Sequence, residues 1–178
     1  MDDVQLYQVF WSFLIGYYLN YKDCIINDLC VKLLHENLAI ESNNLFRKVY
    51  ISRRHVYNQR VENQDIVEQI FAENGYEIIY PETISFKDQL KIFSEAEFLA
   101  GVYGSGFTNI IFTNKNTKII CIQPKEIAWP WFSNLAGILG QECYFLDAEL
   151  SKETPFRYYQ NGFKLDEEFL RKFFKKFS

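Results

Sequence analysis

Apolar positions along the chain follow two rhythms, and the change comes near residue 47. The first forty residues are helical in rhythm. Tyr7, Phe10, Trp11, Leu14 and Tyr18 recur at three- and four-residue steps, which places them on one face of a helix. The stretch from Asn20 to Asp23 breaks the pattern, and Ile25, Leu29, Leu33, Leu34 and Leu38 carry a second stripe. Residues 1–45 are therefore expected to form a helical N-terminal segment.

From Arg47 onward, short β-branched runs alternate with helical stretches. Strands are expected at 48–52, 77–80, 98–102, 118–122 and 143–146, with Pro81 and Pro124 as stops. Between them, a helix starts at Asn63 and ends near the C-cap Gly75. Another starts at Ser85, an N-cap with Asp88 at N3. A third opens at Gly106 and runs to Phe112, and a fourth covers 131–139 before Gly140. The last helix, 166–177, has Asp166, Glu167 and Glu168 at its start and Lys172, Lys175 and Lys176 at its end, as the helix dipole favours.

Five alternations of strand and helix predict an α/β fold over residues 46–178. The architecture is a Rossmann-like parallel sheet of about five strands with helices on both faces. Such sheets bind ligands beyond the carboxyl ends of their strands. That directs attention to loops 52–63, 80–85, 103–109 and 123–131.

Composition narrows the classes. Of 178 residues, 48% are hydrophobic and 24% charged, so a packed domain is expected and long disorder is not. The net charge of −4 argues against a nucleic-acid binder. Aromatic residues make up 18%, enough to supply a partner surface besides the core. Cys24, Cys30, Cys121 and Cys143 form no C-x-x-C pair, and His35 and His55 lie far apart. Free thiols in a reducing cytosol are expected, and no metal site. The longest apolar run, 9–19, is interrupted by Ser12 and Gly16 and is too short to span a membrane. Asp2 and Asp3 precede it where a signal peptide would be basic. A cytoplasmic protein is expected, peripheral to a membrane only through partners.

Two clusters carry candidate chemistry. Gly104-Ser105-Gly106 follows an expected strand and opens an expected helix. Glycine lets the backbone approach an anion, and a helix N-terminus supplies unbonded N–H groups. Ser105 and Thr108 add hydroxyls, and Asn109 can bond a ligand or the nearby backbone. The alternative is a tight turn whose glycines serve packing. The second cluster is Ser52-Arg53-Arg54, followed by Arg60 and Asn63. Forked guanidinium groups suit phosphate, and the alternative is a solvated basic loop. Both clusters are expected at one sheet edge, which favours a phosphate site over either cluster read alone.

Other features are weaker. The glycine turn nearly fits a dinucleotide fingerprint, but Asn109 stands at its third glycine. The next strand also ends in Gln123 where that fingerprint wants an acid, so a dinucleotide enzyme ranks well below a nucleotide-sugar enzyme. Trp129 and Trp131 around Pro130 can stack on a base or sugar, though a structural role is favoured. Glu126 is indistinguishable from a surface acid.

With these residues in view, the chain resembles glycosyltransferase family 61. The pieces run in order from Val49-Tyr50-Ile51-Ser52-Arg53-Arg54, through Arg60 and Asn63, to Tyr80-Pro81-Glu82 and Ser85-Phe86-Lys87-Asp88-Gln89. Phe93 and Ala96 come next, then residues 101–112 around the glycine turn, and finally Ile119 to Pro124. The resemblance implies the C-terminal, nucleotide-binding half of a GT-B enzyme, transferring a sugar with inversion from a nucleotide-sugar donor to a glycan acceptor. Similar bacterial proteins are associated with capsular polysaccharide. Arg53, Arg54 and Arg60 would then meet the diphosphate. Asn63, Gly104, Ser105, Gly106, Thr108 and Asn109 would line the donor pocket, and no cofactor or metal is implied.

Two positions depart from the family. Tyr103 stands where the family usually has His, and Cys121 where it often has Glu. Tyr103 takes the catalytic position but cannot shuttle protons near neutrality as His does. A non-catalytic nucleotide-binding or scaffold module of the same fold is therefore the alternative. The resemblance also implies a missing N-terminal domain, or self-association through the aromatic helix around Tyr7, Trp11 and Tyr18.

Overall fold

The order of the parallel strands reverses once, and that reversal creates the crevice where the site lies. The structure is a computed structural model that describes residues 26, 28–40, 42–56, 60–126, 130–151 and 162–177. The expected first helix with Tyr7, Trp11 and Tyr18 lies outside these residues, as do Cys24 and Trp129.

The strands are β1 (Arg47–Ile51), β2 (Glu77–Ile79), β3 (Ala96–Val102), β4 (Lys118–Pro124), β5 (Cys143–Leu150) and β6 (Phe163–Lys164). They form one sheet in the order β2-β1-β3-β4-β5-β6. The first five are parallel, with Ile51 opposite both Ile79 and Gly101, and Val102 opposite Ile122. The sixth, two residues long and antiparallel to β5, was not expected. Too short for an alternating pattern, it left no period for sequence reading to find.

The helices are α1 (Asp28–Leu38), α2 (Gln64–Glu73), α3 (Phe86–Ser94), α4 (Trp131–Ile138) and α5 (Glu167–Phe177). The path β1–α2–β2 steps one way along the sheet, and β2–α3–β3 steps back across β1. Right-handed crossovers therefore put α2 and α3 on opposite faces. The packing agrees: α2 meets α5, whereas α1, α3 and α4 gather around a 3-10 helix, Ser105–Phe112. Sheets covered on both faces read as unbroken apolar runs, as Val49 to Ile51 and Ile119 to Ile122 do, all buried.

Local chemistry sets the element ends. Ser85 Oγ accepts from the Asp88 backbone N–H at 3.2 Å and donates to the Asp88 carboxylate at 2.6 Å, capping α3 as expected. Gly75 and Gly140 close their helices with φ of 81° and 70°. The expected α-helix after Gly106 is instead the 3-10 helix Ser105–Phe112. A three-residue repeat lines up Phe107, Ile110 and Thr113, all buried. Thr113 closes it with its N–H and its hydroxyl both donating to the Ile110 carbonyl. Helix α1 joins the same core through Val31, and the His35 Nδ1 donates to the Ile111 carbonyl at 2.7 Å. No helix among the described residues is long and apolar enough to cross a membrane.

Candidate functional site

The chain leaves β1 toward α2 on one face and leaves β3 toward the 3-10 helix on the other. A crevice must open between the two exits. Arg53 follows β1 and Gly104 follows β3, so the strand order alone brings them to this crevice.

The contact is close. A Cβ added to Gly104 would lie 2.7 Å from Arg53 Nη1 and 3.6 Å from Arg60 Nη1. Gly104 has φ 145° and ψ 178°, a region that glycine alone enters readily. Both guanidinium groups thus reach the bare backbone of the turn. Arg53 is 8% exposed. Burial holds its guanidinium below the ordinary arginine range, and the Arg60 charge pushes the same way, against Tyr103 and Glu82. Burial also lowers Arg60, with Tyr103 opposing.

Arg60 is held by Tyr103. Its Nη1 donates to the Tyr103 carbonyl at 3.0 Å, and its central carbon lies 4.3 Å from the Tyr103 ring centroid. That ring, fully buried, also stacks on Phe163 at 5.9 Å. Burial pushes the Tyr103 phenol up, while Arg60 and Arg53 pull it down.

The Arg60 backbone is fixed by β6. Its carbonyl accepts from the Phe163 N–H at 2.8 Å, and the Glu62 N–H donates to the Phe163 carbonyl at 2.9 Å. Asn63 continues the seam. Its Nδ2 donates to the Leu165 carbonyl at 2.9 Å, and its Oδ1 accepts from the Leu165 N–H at 3.2 Å. The Asn63 amide, read in sequence as a ligand contact, is thus occupied in pinning the segment that carries Arg60.

Arg54 turns away from the crevice. Its Nε and Nη2 donate to Glu68 Oε2 at 3.0 and 2.6 Å, and its Nη1 pairs with Asp65 at 2.5 Å. Glu68 is a buried hub that also accepts from Ser52 Oγ, from Gln64 Nε2 and from the Tyr80 hydroxyl. Burial works against its ionisation, but the donors Arg54, Ser52 and Gln64 prevail and hold its carboxyl below the usual range.

The remaining candidates divide. Ser105 is exposed, and Gly106 and Thr108 are half-buried, beside the turn. The first bond of the 3-10 helix runs from the Phe107 N–H to the Gly104 carbonyl at 2.9 Å, so the amides of Ser105 and Gly106 precede the helical ladder. Asn109 is buried, and its Nδ2 donates to the Gly106 carbonyl at 2.9 Å, so it shapes the turn. A Cβ on Gly106 would meet nothing closer than 3.9 Å. Cys121 is fully buried, and burial raises its thiol, so it offers no charge where the resemblance calls for Glu.

At this edge Arg60 Nε and Gln123 Oε1, both buried, have no hydrogen-bond partner among the described residues. Gln123 follows Ile122, whose carbonyl accepts from the Tyr103 N–H at 3.0 Å. Each orphan costs about 1–3 kcal/mol, a debt that a polar ligand can remove.

Sequence reading passed over one group. His55, two residues after Arg53, stacks on Tyr80 with ring centroids 4.5 Å apart at 26°. Its Nδ1 lies 3.6 Å from Glu82 Oε1. Only the pairing of β1 with β2 brings these three together. The usable signal was positional: each lies within four residues of a strand's carboxyl end. Among the described residues no three His, Cys, Asp or Glu side chains converge as metal ligands would.

A family model described as Glycosyltransferase 61 matches residues 22–120 of the 178-residue chain. The match takes in α1 through the middle of β4, with Arg53, Arg60 and the glycine turn inside it. No curated protein matches the chain.

Proposed function

The chain belongs to the glycosyltransferase 61 family, and from that premise we propose that its β1–β3 crevice binds the diphosphate of a nucleotide-sugar donor. The donated sugar passes with inversion to a glycan acceptor, a surface polysaccharide being the class that the resemblance suggests. The fold then serves as the nucleotide-binding half of a GT-B arrangement.

One observation carries this reading: two guanidinium groups converge on the bare backbone of Gly104. Buried like charges repel, and both arginines are held below their ordinary range. A dianionic ligand reverses that penalty and gives charge-assisted, forked hydrogen bonds. Arg53, Arg60 and the amides of Ser105 and Gly106 form the cradle. Arg54 and Asn63 support it from behind. Charge on the leaving diphosphate is neutralised by the arginines, with no metal in this reading.

A thermal-shift panel of UDP, GDP, CMP and NAD, each with and without EDTA, tests it. A nucleoside diphosphate is expected to stabilise the fold equally with chelator, and Arg53→Ala to abolish the shift. A shift with NAD alone points to a dinucleotide enzyme. No shift with any nucleotide leaves a scaffold. Loss of the UDP or GDP shift on adding EDTA refutes the metal-free part.

A second reading, a module that binds without turnover, is favoured by Tyr103. Its ring is fully buried against Arg60 and Phe163, and burial pushes its phenol away from neutrality. It cannot perform the proton transfer that a histidine performs there.

A further inference from the structure

If the donor reading holds, transfer needs a base for the acceptor hydroxyl, and Tyr103 is not one. The chain contains two histidines. His35 is committed elsewhere, donating through Nδ1 to the Ile111 carbonyl and tying α1 to the 3-10 helix. His55 is the remaining imidazole, at the carboxyl edge of the sheet two residues beyond Arg53 and beside Tyr80 and Glu82, the acid whose charge also acts on Arg53.

We infer that His55 is the general base of the transfer, accepting the acceptor hydroxyl's proton on Nε2. This inference rests on the donor reading above. Three contacts support it. The His55 ring lies on Tyr80, 4.5 Å between centroids, and the Tyr80 hydroxyl is itself tied to Glu68 at 3.4 Å. Glu82 sits 3.6 Å from Nδ1, so an Nδ1–H tautomer places its donor toward the carboxylate and leaves Nε2 unprotonated. The Nε2 lone pair then remains for substrate. With a side chain 50% exposed, His55 is open to an acceptor arriving from solvent.

Other groups at the edge fit the role less well. Glu82 faces both His55 and Arg53, so its charge is already shared. Glu68 is buried and saturated with donors. Arg53 and Arg54 are the cations nearest in sequence, and Arg54 is neutralised by Glu68 and Asp65.

The step balances. The acceptor oxygen bonds to the anomeric carbon while the bond from that carbon to the diphosphate oxygen breaks. The electron pair leaves with the diphosphate onto Arg53 and Arg60. The acceptor proton moves to His55 Nε2 and is later lost to solvent.

The full chain is incubated with a panel of UDP- and GDP-sugars, with water and simple glycosides as acceptors, and released nucleoside diphosphate is measured across pH. His55→Gln is expected to lower the rate about 100-fold or more and to abolish the acid limb of the pH–rate profile. Its stabilisation by UDP or GDP should equal that of wild type. Glu82→Gln should give a smaller drop and keep the acid limb. An unchanged rate in His55→Gln overturns the inference, and so does loss of nucleotide stabilisation in that variant, which makes His55 a binding group. Nucleotide binding without release from any donor also overturns it. Absence of UDP and GDP stabilisation in wild type is a separate result, which sinks the donor reading itself.

Discussion

The Arg60 guanidinium lies over the Tyr103 ring at 4.3 Å while its Nη1 donates to the carbonyl of the same residue at 3.0 Å. One side chain thus reads both the face and the backbone of the residue preceding the glycine turn. The pair sets where the second positive charge of the cradle stands, and several outcomes follow from it.

Arg60→Lys keeps the charge but loses the fork and much of the planar stacking. It should weaken nucleoside-diphosphate binding by roughly tenfold, about 1.4 kcal/mol. Arg60→Ala should weaken it further while costing the fold about 1 kcal/mol from the lost ring contact. Calorimetric titration alongside thermal melts separates the two. Equal affinity in wild type and Arg60→Ala removes Arg60 from the cradle.

Gly104→Ala introduces a Cβ 2.7 Å from Arg53 Nη1 at a φ of 145°. Backbone strain of about 1–3 kcal/mol is expected, together with displacement of Arg53 and loss of nucleotide stabilisation. Gly106→Ala is the control, because its Cβ would be 3.9 Å from the nearest atom, Ile51 Cγ2. Similar melting temperatures for the two variants contradict this account of the turn.

Glu68 gives the fold an acid-sensitive support. Its carboxyl is held below the usual range by Arg54, Ser52 and Gln64, against the opposing effect of burial. Its contribution is therefore fully present above the unfolded-state value of about 4.3, and it is lost as pH falls through the lower folded-state value. Glu68→Gln should cost about 2 kcal/mol at pH 7, with the gap from wild type narrowing toward about pH 3. A gap that stays constant with pH assigns the loss to packing instead.

Asn63→Ala breaks both hydrogen bonds to Leu165. A cost of about 1–2 kcal/mol is expected, with faster amide exchange at Leu165 and Phe163. Nucleotide affinity should fall only modestly, since the side chain supports the site without facing the ligand. An Asn63→Ala variant that folds normally but loses nucleotide binding altogether makes Asn63 a direct contact.

Much of this was legible in the chain. The inner strands β1, β3 and β4 announced themselves because they are largely buried and read as short apolar runs, while the partly exposed β2 and β5 were marked by their β-branched and aromatic residues. Arg53 and the glycine turn could be assigned to one edge because both follow strands, and parallel strands end on the same side. The division of labour among the polar residues was not legible. Arg53 and Arg54 are neighbours of one type, and only the positions of Glu68 and Asp65 on α2 decide which turns inward. Asn63 looks like a pocket residue until Phe163 to Leu165 return from the far end of the chain. His55 looked like an isolated histidine because Tyr80 and Glu82 join it only through strand pairing.

The seam between residues 60–63 and 162–165 also has a kinetic meaning. Arg60 is placed only when the C-terminal strand arrives, and Gly104 meets Arg53 only once β3 has inserted beside β1. Contacts so distant in the chain close slowly. During refolding, affinity for an anionic ligand should appear with the last phase rather than with early helix formation. A bound nucleotide would in turn act on the completed state alone, so it should retard the opening of that late-closing seam while leaving the early steps at their own pace.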